Sequence, residues 1–351
     1  MIVRTVKLKL TKKQENTLVQ WQNHLAAVYN WAIRRIELNA NNKIYFSKYD
    51  FQNSLAGVSK QLNINSHTIQ AILMQAYTTW QRCFKKIAKK PRLKGKRNKL
   101  NSIPFPDALN TPINNKIKIP LLGEIRYFKQ ELPIGKIKCG RIKKLASGWY
   151  LDLTINTNHT FSIKQTDNVV GIDPGFSTLL TLSNGVKIEN PRELRKREKR
   201  IGQAQRSHNK KLTRRLHERL KNIKKNRNHK ISRKLLENYR TIYWSDDNFK
   251  GLSRLHGKSI GEAGLGQIRD FLTYKAQLLA DREIILVSSV NSTKCCSNCG
   301  TINKSLSGLD SLAVRYWVCE VCGASHDRDI NAAMNILNTG VGYTLETLAT
   351  K

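Results

Sequence analysis

Residues 169–190 read VVGIDPGFSTLLTLSNGVKIEN, and the fold of the second half of the chain turns on them. Val169, Val170 and Ile172 make an apolar strand that stops at Asp173, where Pro174 and Gly175 turn the chain into a second strand, LLTLS. Asn184-Gly185 then supplies the pair that favours a tight hairpin, followed by VKIEN. A carboxylate at the mouth of an apolar strand stands where a site can open. Asp173 fits an ordinary turn former ahead of Pro174 equally well, so the decision rests on the other acids.

Two further acidic stretches lie at element ends. HDRDINAAMNIL (326–337) puts Asp327 and Asp329 before a helix with an apolar stripe of Ile330, Ala333, Met334 and Leu337. Both acids then stand at the positive end of that helix, as site carboxylates or as N-caps. TIYWSDDNFKGL (241–252) reads as a strand whose alternation points Ser245 and Asp247 one way and Asp246 the other, unless Asp-Asp-Asn is simply a solvated turn.

The seven cysteines are unevenly spread: Cys83 and Cys139 stand alone, while Cys295, Cys296, Cys299, Cys319 and Cys322 crowd together. Cys296-x-x-Cys299 and Cys319-x-x-Cys322, nineteen residues apart, have the spacing of a tetrahedral four-thiolate site. Gly300 and Gly323 follow the second cysteine of each pair and permit the turn each knuckle needs. One structural Zn²⁺ is expected, with no open position for water and Cys295 a bystander; a redox CxxC is the competing reading.

Residues 2–9 (IVRTVKLK) alternate apolar and basic side chains as a strand, and from Thr11 a helix places Leu18, Trp21, Leu25, Val28 and Ala32 on one face. A second helix is expected from Ser66 to Lys89, ending in a basic loop at Pro91 and Gly95. The runs IKIP, EIRYF, KIKCGRI and WYLDLTI then suggest a small β-barrel with a helical insertion. Trp21, Tyr29, Trp31, Tyr77 and Trp80 lie on helical segments and are assigned to the core rather than to base stacking. Further on, a helix is expected from Gly266 to Arg282, preceded by a glycine-rich loop holding Glu262.

At 351 residues and 40% hydrophobic content the chain can bury a core in two or three domains. Its 62 Lys and Arg against 25 Asp and Glu give a net charge of +37, a self-repulsion that calls for a polyanion. No apolar run reaches the roughly 18 residues of a membrane span, and no signal peptide opens the chain, so a cytoplasmic nucleic-acid binder is expected. Residues 192–240 carry twenty Lys and Arg against four Glu in one or two long helices. Arg214, Arg215, Lys224, Lys225, Arg227 and Lys230 are the expected phosphate contacts there, joined by Arg328. Nothing resembles a sequence-reading helix or finger, so specificity must come from elsewhere.

Taken together, GIDPGFSTLLTLSNG, NHKISRKLLENY, CSNCG and WVCEVCGASHDRDINAAMNIL, in this order, resemble the RuvC-like nuclease of the TnpB family, which small insertion sequences encode and which is related to type V CRISPR effectors. RTVKLKLTKKQ, VYNWAIRR, KKPRLKG and IPLLGEIRYF extend the resemblance more loosely over the N-terminal half. It implies an α+β multidomain protein: a nucleic-acid-recognition part over 1–165 (an N-terminal β-barrel with a helical insertion at about 11–100), an RNase H-like (RuvC) α/β domain over 166–340, a Cys₄ zinc ribbon inserted at 291–326, and a tail over 341–351. It also implies a guide RNA and target double-stranded DNA as partners, with base pairing selecting the target.

The implied reaction is hydrolysis of a phosphodiester with two Mg²⁺ about 3.5–4 Å apart, held by Asp173, Asp247 and Asp329. Most of the family carries a catalytic Glu where this chain has Ser245. Asp247 shares a face with Ser245 and is assigned as the relocated second acid, with Glu262 and Asp246 as weaker substitutes. Failing all three, the chain would be a nuclease-inactive, RNA-guided DNA-binding repressor. A resolvase or transposase without RNA ranks behind both.

Overall fold

Strand β1 (Ile2–Lys9) buries Val6 and Leu8 and joins two ladders. Its residues Ile2 to Lys7 pair antiparallel with β6 (Gly148–Asn156), and Leu8 and Lys9 pair with β4 (Gly123–Tyr127). With β2 (Ser102–Phe105), β3 (Lys116–Ile119) and β5 (Lys136–Leu145) the order is β2-β5-β6-β1-β4-β3. Among the described residues no pairing joins β2 to β3, so the sheet is open where a closed barrel would seal. Pro104 lies in β2, and a strand lacking one ladder donor belongs at an edge, where β2 is found. The computed structural model describes residues 1–44, 47–96, 98–157, 163–279, 281–306 and 313–349.

Between β1 and β2 run helices α1 (Lys12–Asn41), α2 (Lys48–Asn53), α3 (Val58–Leu62) and α4 (Ser66–Phe84). Thr11 caps α1 in a capping box with Gln14, and the expected stripe Leu18, Trp21, Leu25, Val28 and Ala32 is buried. Helix α4 stops at Phe84, five residues before the sequence expectation: Lys86 adopts φ 55°, ending the helix ahead of the lysine-rich loop. Trp21, Tyr29 and Trp80 are buried, in keeping with a packing role. These elements fall in one unit, residues 1–159; residues 160–351 form another.

The second unit is built on a sheet of β7 (Val169–Pro174), β8 (Thr178–Leu182), β9 (Lys187–Glu189), β10 (Thr241–Ser245) and β11 (Glu283–Val287), ordered β11-β10-β7-β8-β9. Strands β7, β8 and β9 form an antiparallel meander, while β10 runs parallel to β7 and to β11. Each parallel step needs a crossover. Helices α5 (Glu193–Arg206) and α6 (Lys210–Asn238) supply the first, α7 (Phe249–Ala263) and α8 (Leu265–Ala276) the second. The fold is thus of the mixed α+β class. Among the described residues no helix is long and apolar enough to cross a membrane.

Two sequence expectations are corrected here. The segment holding Glu262 is helical, not a glycine-rich loop: Asn248 caps α7 by accepting from the Gly251 amide, and Gly264 at φ 67° ends it. The following helix spans Leu265–Ala276 rather than reaching Arg282, whose guanidinium instead holds the carbonyls of Leu236 and Lys164.

Helix α9 (Arg328–Ala349) packs against β7 and β10. Gly171 permits this contact, because a Cβ there would lie 2.2 Å from the Ala333 carbonyl oxygen, and a Cβ on Gly340 would lie 2.2 Å from the Tyr243 ring. The buried stripe consists of Ala332, Ala333 and Ile336, whereas Met334, expected inside, is 39% exposed. Its place among the buried residues of α9 is taken by Asn331, on a second covered flank. Between β11 and α9 lie the cysteine knuckles and a small hairpin of β12 (Tyr316–Val318) and β13 (Ser325–Asp327).

Candidate functional site

Asp173 is the penultimate residue of β7, and the neighbouring strand β10 ends beside it. Trp244 registers with Ile172, and one step further stand Ser245 and Asp173. Asp247 follows two residues after Ser245, and Asp329 sits in the first turn of α9. The Asp173 carboxyl is pushed up to about 8, mainly by burial, then by the charges of Asp329 and Asp247, with Arg328 pulling the other way. Asp173 is therefore near enough to both Asp329 and Asp247, each far away in sequence, to be repelled by them.

Ser245 is fully buried, and its hydroxyl donates to Asp247 Oδ2 at 2.7 Å, while Ser289 Oγ donates to Asp247 Oδ1 at 2.8 Å. Both oxygens of Asp247 are thus held by hydroxyl donors, which fixes the carboxylate's orientation. Ser289, in the segment after β11, was invisible in the sequence because nothing in VSSV sets it apart from its neighbour.

The remaining acids have other work. Asp327 accepts from the amides of Asp329 and Ile330 and from Lys187 Nζ at 2.7 Å, so it is the N-cap of α9. Burial alone would raise its carboxyl; Lys187 and the two amides outweigh this and hold it below its usual value. Asp246 is exposed and accepts from the Ser289 amide at 3.4 Å. Glu262 is buried at the N-terminus of α5, accepting from the amides of Leu194 and Arg195 at 3.1 and 3.2 Å. It is a helix cap and not a substitute for the second acid.

Among the basic residues, Arg214, Arg215, Lys225 and Lys230 are exposed along α6. Lys224 donates to the Gly261 carbonyl and Arg227 to that of Ala263, so these two half-buried cations fasten α6 to the end of α7. Arg328 is buried, with Nη1 3.5 Å from the Val314 carbonyl.

The sulfurs of Cys296, Cys299, Cys319 and Cys322 all lie within 4.8 Å of one another. The cross-knuckle pairs Cys296 to Cys322 and Cys299 to Cys319 are both 3.7 Å apart. Four thiolates about 2.3 Å from one tetrahedral ion would be separated by about 3.8 Å, so the donor set fits a metal ion. Each knuckle closes when the glycine amide donates back to its first cysteine, Gly300 to Cys296 and Gly323 to Cys319. Hydrogen bonds from Thr301 pull the Cys299 thiol down to about 6, whereas burial pushes Cys296 up to about 11. His326 Nε2 stands 3.0 Å from Cys296 Sγ, a neighbour the cysteine pattern gave no hint of.

Residues 155–255 match the family described as "Probable transposase", and residues 266–336 match "Cas12f1-like, TNB domain". The chain is 31% identical over 300 residues to a "Putative RNA-guided DNA endonuclease" of Streptomyces pristinaespiralis, covering 79% of this chain and 72% of that protein. It is 25% identical over 306 residues to InsQ of Escherichia coli strain K12, named likewise, covering 78% and 74%. A cryo-EM structure of a Cas12f1–sgRNA–target DNA complex has a chain similar in fold, with TM-score 0.58 at 14% identity over 93% of this chain and 83% of that one.

Proposed function

Because the chain belongs to the TnpB family of RNA-guided DNA endonucleases, we propose that it hydrolyses phosphodiester bonds in DNA matched by a guide RNA, at Asp173, Asp247 and Asp329. The observation that carries this reading is a buried Asp173, lifted to about 8 mainly by its burial and further by the charges of Asp329 and Asp247 beside it. A cluster of that kind is relieved by cations, and oxygen-only donors suit Mg²⁺. When bound, two Mg²⁺ would supply an activated water and charge neutralisation at the leaving oxygen.

The rest is the work of the chain. Asp173 would lie at the centre of the acid set, Ser245 and Ser289 would hold Asp247 in one orientation, and Arg328 would temper the negative charge. A hydroxyl cannot replace the carboxylate that most of the family carries at position 245, but a hydroxyl donating to Asp247 supports relocation of the acid two residues along. The inactive-repressor reading has no comparable support. Cys296, Cys299, Cys319 and Cys322 would hold one structural Zn²⁺, whose saturated ligand set leaves no position for chemistry.

The meander-then-parallel sheet of the second unit supports an RNase H-like (RuvC) arrangement over 166–340, with the ribbon inserted at 291–326. The six-stranded unit with its helical insertion would hold guide RNA and read the DNA beside the target. Arg214, Arg215, Lys225 and Lys230 would line the path of nucleic-acid phosphates, and the setting would be the cytoplasm.

The test is to purify the protein with its RNA, sequence that RNA, and offer a duplex matching the guide. Mg²⁺-dependent cutting is expected, and Asp247→Ala should abolish it while leaving binding unchanged. Undiminished cutting by that variant would remove Asp247 from the mechanism.

A further inference from the structure

Helix α9 carries asparagines at 331, 335 and 338, the spacing of one helical face. The Asn331 amide nitrogen donates to the Cys295 carbonyl at 2.7 Å and reaches the Ser292 carbonyl at 3.3 Å, and its oxygen accepts from the Ser297 amide at 2.9 Å. Asn335 donates to the same two carbonyls, each at 2.7 Å, and Asn338 reaches the Ser297 carbonyl at 3.4 Å. Cys296, the first thiolate of the cluster, lies inside the segment they grip.

Asn331 is 1% exposed. An amide this deep is tolerated only when its hydrogen bonds are made, and here they are made to the knuckle backbone and not to its own helix. Two residues before Asn331 lies Asp329, about 200° around the helix, so the two side chains leave α9 on opposing sides. The opposite flank of α9 is pinned at Gly171 on β7, the strand that carries Asp173.

We infer that Asn331, seconded by Asn335, is a positioning residue: it locks the first cysteine knuckle to α9 and thereby sets Asp329 against Asp173, making the thiolate cluster and the acid cluster one mechanical unit. The inference rests on the reading of Asp329 as a nuclease ligand. It gives the metal-holding ribbon a role beyond local stability. A knuckle that loosens would release the first turn of α9, and with it one of the three acids.

The experiment uses the full chain with its copurified RNA, as wild type, Asn331→Ala, Asn335→Ala and the double variant. In Asn331→Ala, zinc content and guide-matched DNA binding should stay at wild-type levels while the Mg²⁺ concentration for half-maximal cutting rises roughly 10- to 100-fold. Amide hydrogen exchange over 328–332 should quicken roughly tenfold when a zinc-selective chelator strips the wild type, and should be fast already, and insensitive to stripping, in the double variant. A purely structural role predicts a lower melting temperature with no change in the Mg²⁺ requirement. Should Asn331→Ala lose its metal, Asn335→Ala, which leaves the Asn331 contacts in place, carries the same comparison.

An unchanged Mg²⁺ requirement in a zinc-loaded variant, or exchange in that turn indifferent to stripping the wild type, overturns the inference. If the wild type cuts at no Mg²⁺ concentration, the nuclease reading fails separately, and the exchange result alone decides the coupling.

Discussion

The four cysteines and the three aspartates, the two sets we propose to hold metal ions, come together in opposite ways. Each cysteine knuckle is closed by a glycine amide within five residues of chain, so its geometry is largely local. The aspartates are brought together by a sheet and a helix, from the ends of β7 and β10 and the start of α9. A local site fails only when its own ligands are touched; a convergent one fails whenever a supporting contact moves.

The sharpest separation of the two should come from replacing ligands. Asp173→Ala or Asp329→Ala is expected to lower cutting by about a thousandfold or more, about 4 kcal/mol of transition-state stabilisation, with folding and bound zinc intact. Cys319→Ser is expected to lower cutting and zinc content together. Metal analysis beside single-turnover cutting would show this, and a Cys319→Ser protein that cuts normally without zinc would separate the two clusters altogether.

A smaller effect tests the convergent side without touching any ligand. Gly171→Ala would force a methyl group to within 2.2 Å of the Ala333 carbonyl and move α9 off β7. A loss of roughly 1–3 kcal/mol in denaturant unfolding is expected, together with slower cutting. Gly257→Ala, in open space within α7, is the matching control and should be neutral or slightly stabilising.

The last effect, confined to one pH range, is electrostatic. In the metal-free fold Asp173 keeps its proton up to about 8, whereas an unfolded Asp releases it near 3.8. Between those values the unfolded state binds fewer protons than the folded one, so this group's contribution to stability falls as pH rises and is fully lost above about 8. Asp173→Asn should therefore stabilise the metal-free protein by roughly 1–3 kcal/mol at pH 8.5 and by almost nothing at pH 4. Thermal melts at the two pH values measure it; equal gains at both would mean that burial and the neighbouring acids do not hold the proton on Asp173.

The same contrast explains what was legible in the sequence. CxxC spacing with trailing glycines specifies the knuckles directly, and the Leu18 to Ala32 stripe specifies α1, because both are short-range patterns. Asp173 was legible as a strand-end acid, but its neighbours had to be inferred from a family likeness. The sequence hid the side chains whose role depends on a distant partner. Glu262 looked like a spare loop acid and is the cap of α5; Met334 looked like core and is exposed, while Asn331 is buried. A polar residue reads as surface until the carbonyls that receive it are known.

The order of synthesis gives the α9 contact a further meaning. The helix that brings Asp329 leaves the ribosome after every strand it covers, 156 residues behind Asp173 (329 − 173). At roughly 5–20 residues per second, that is a delay of roughly 8–30 seconds. Throughout that interval β7 stands without the helix that packs against it, and Asp173 without the neighbour that α9 brings.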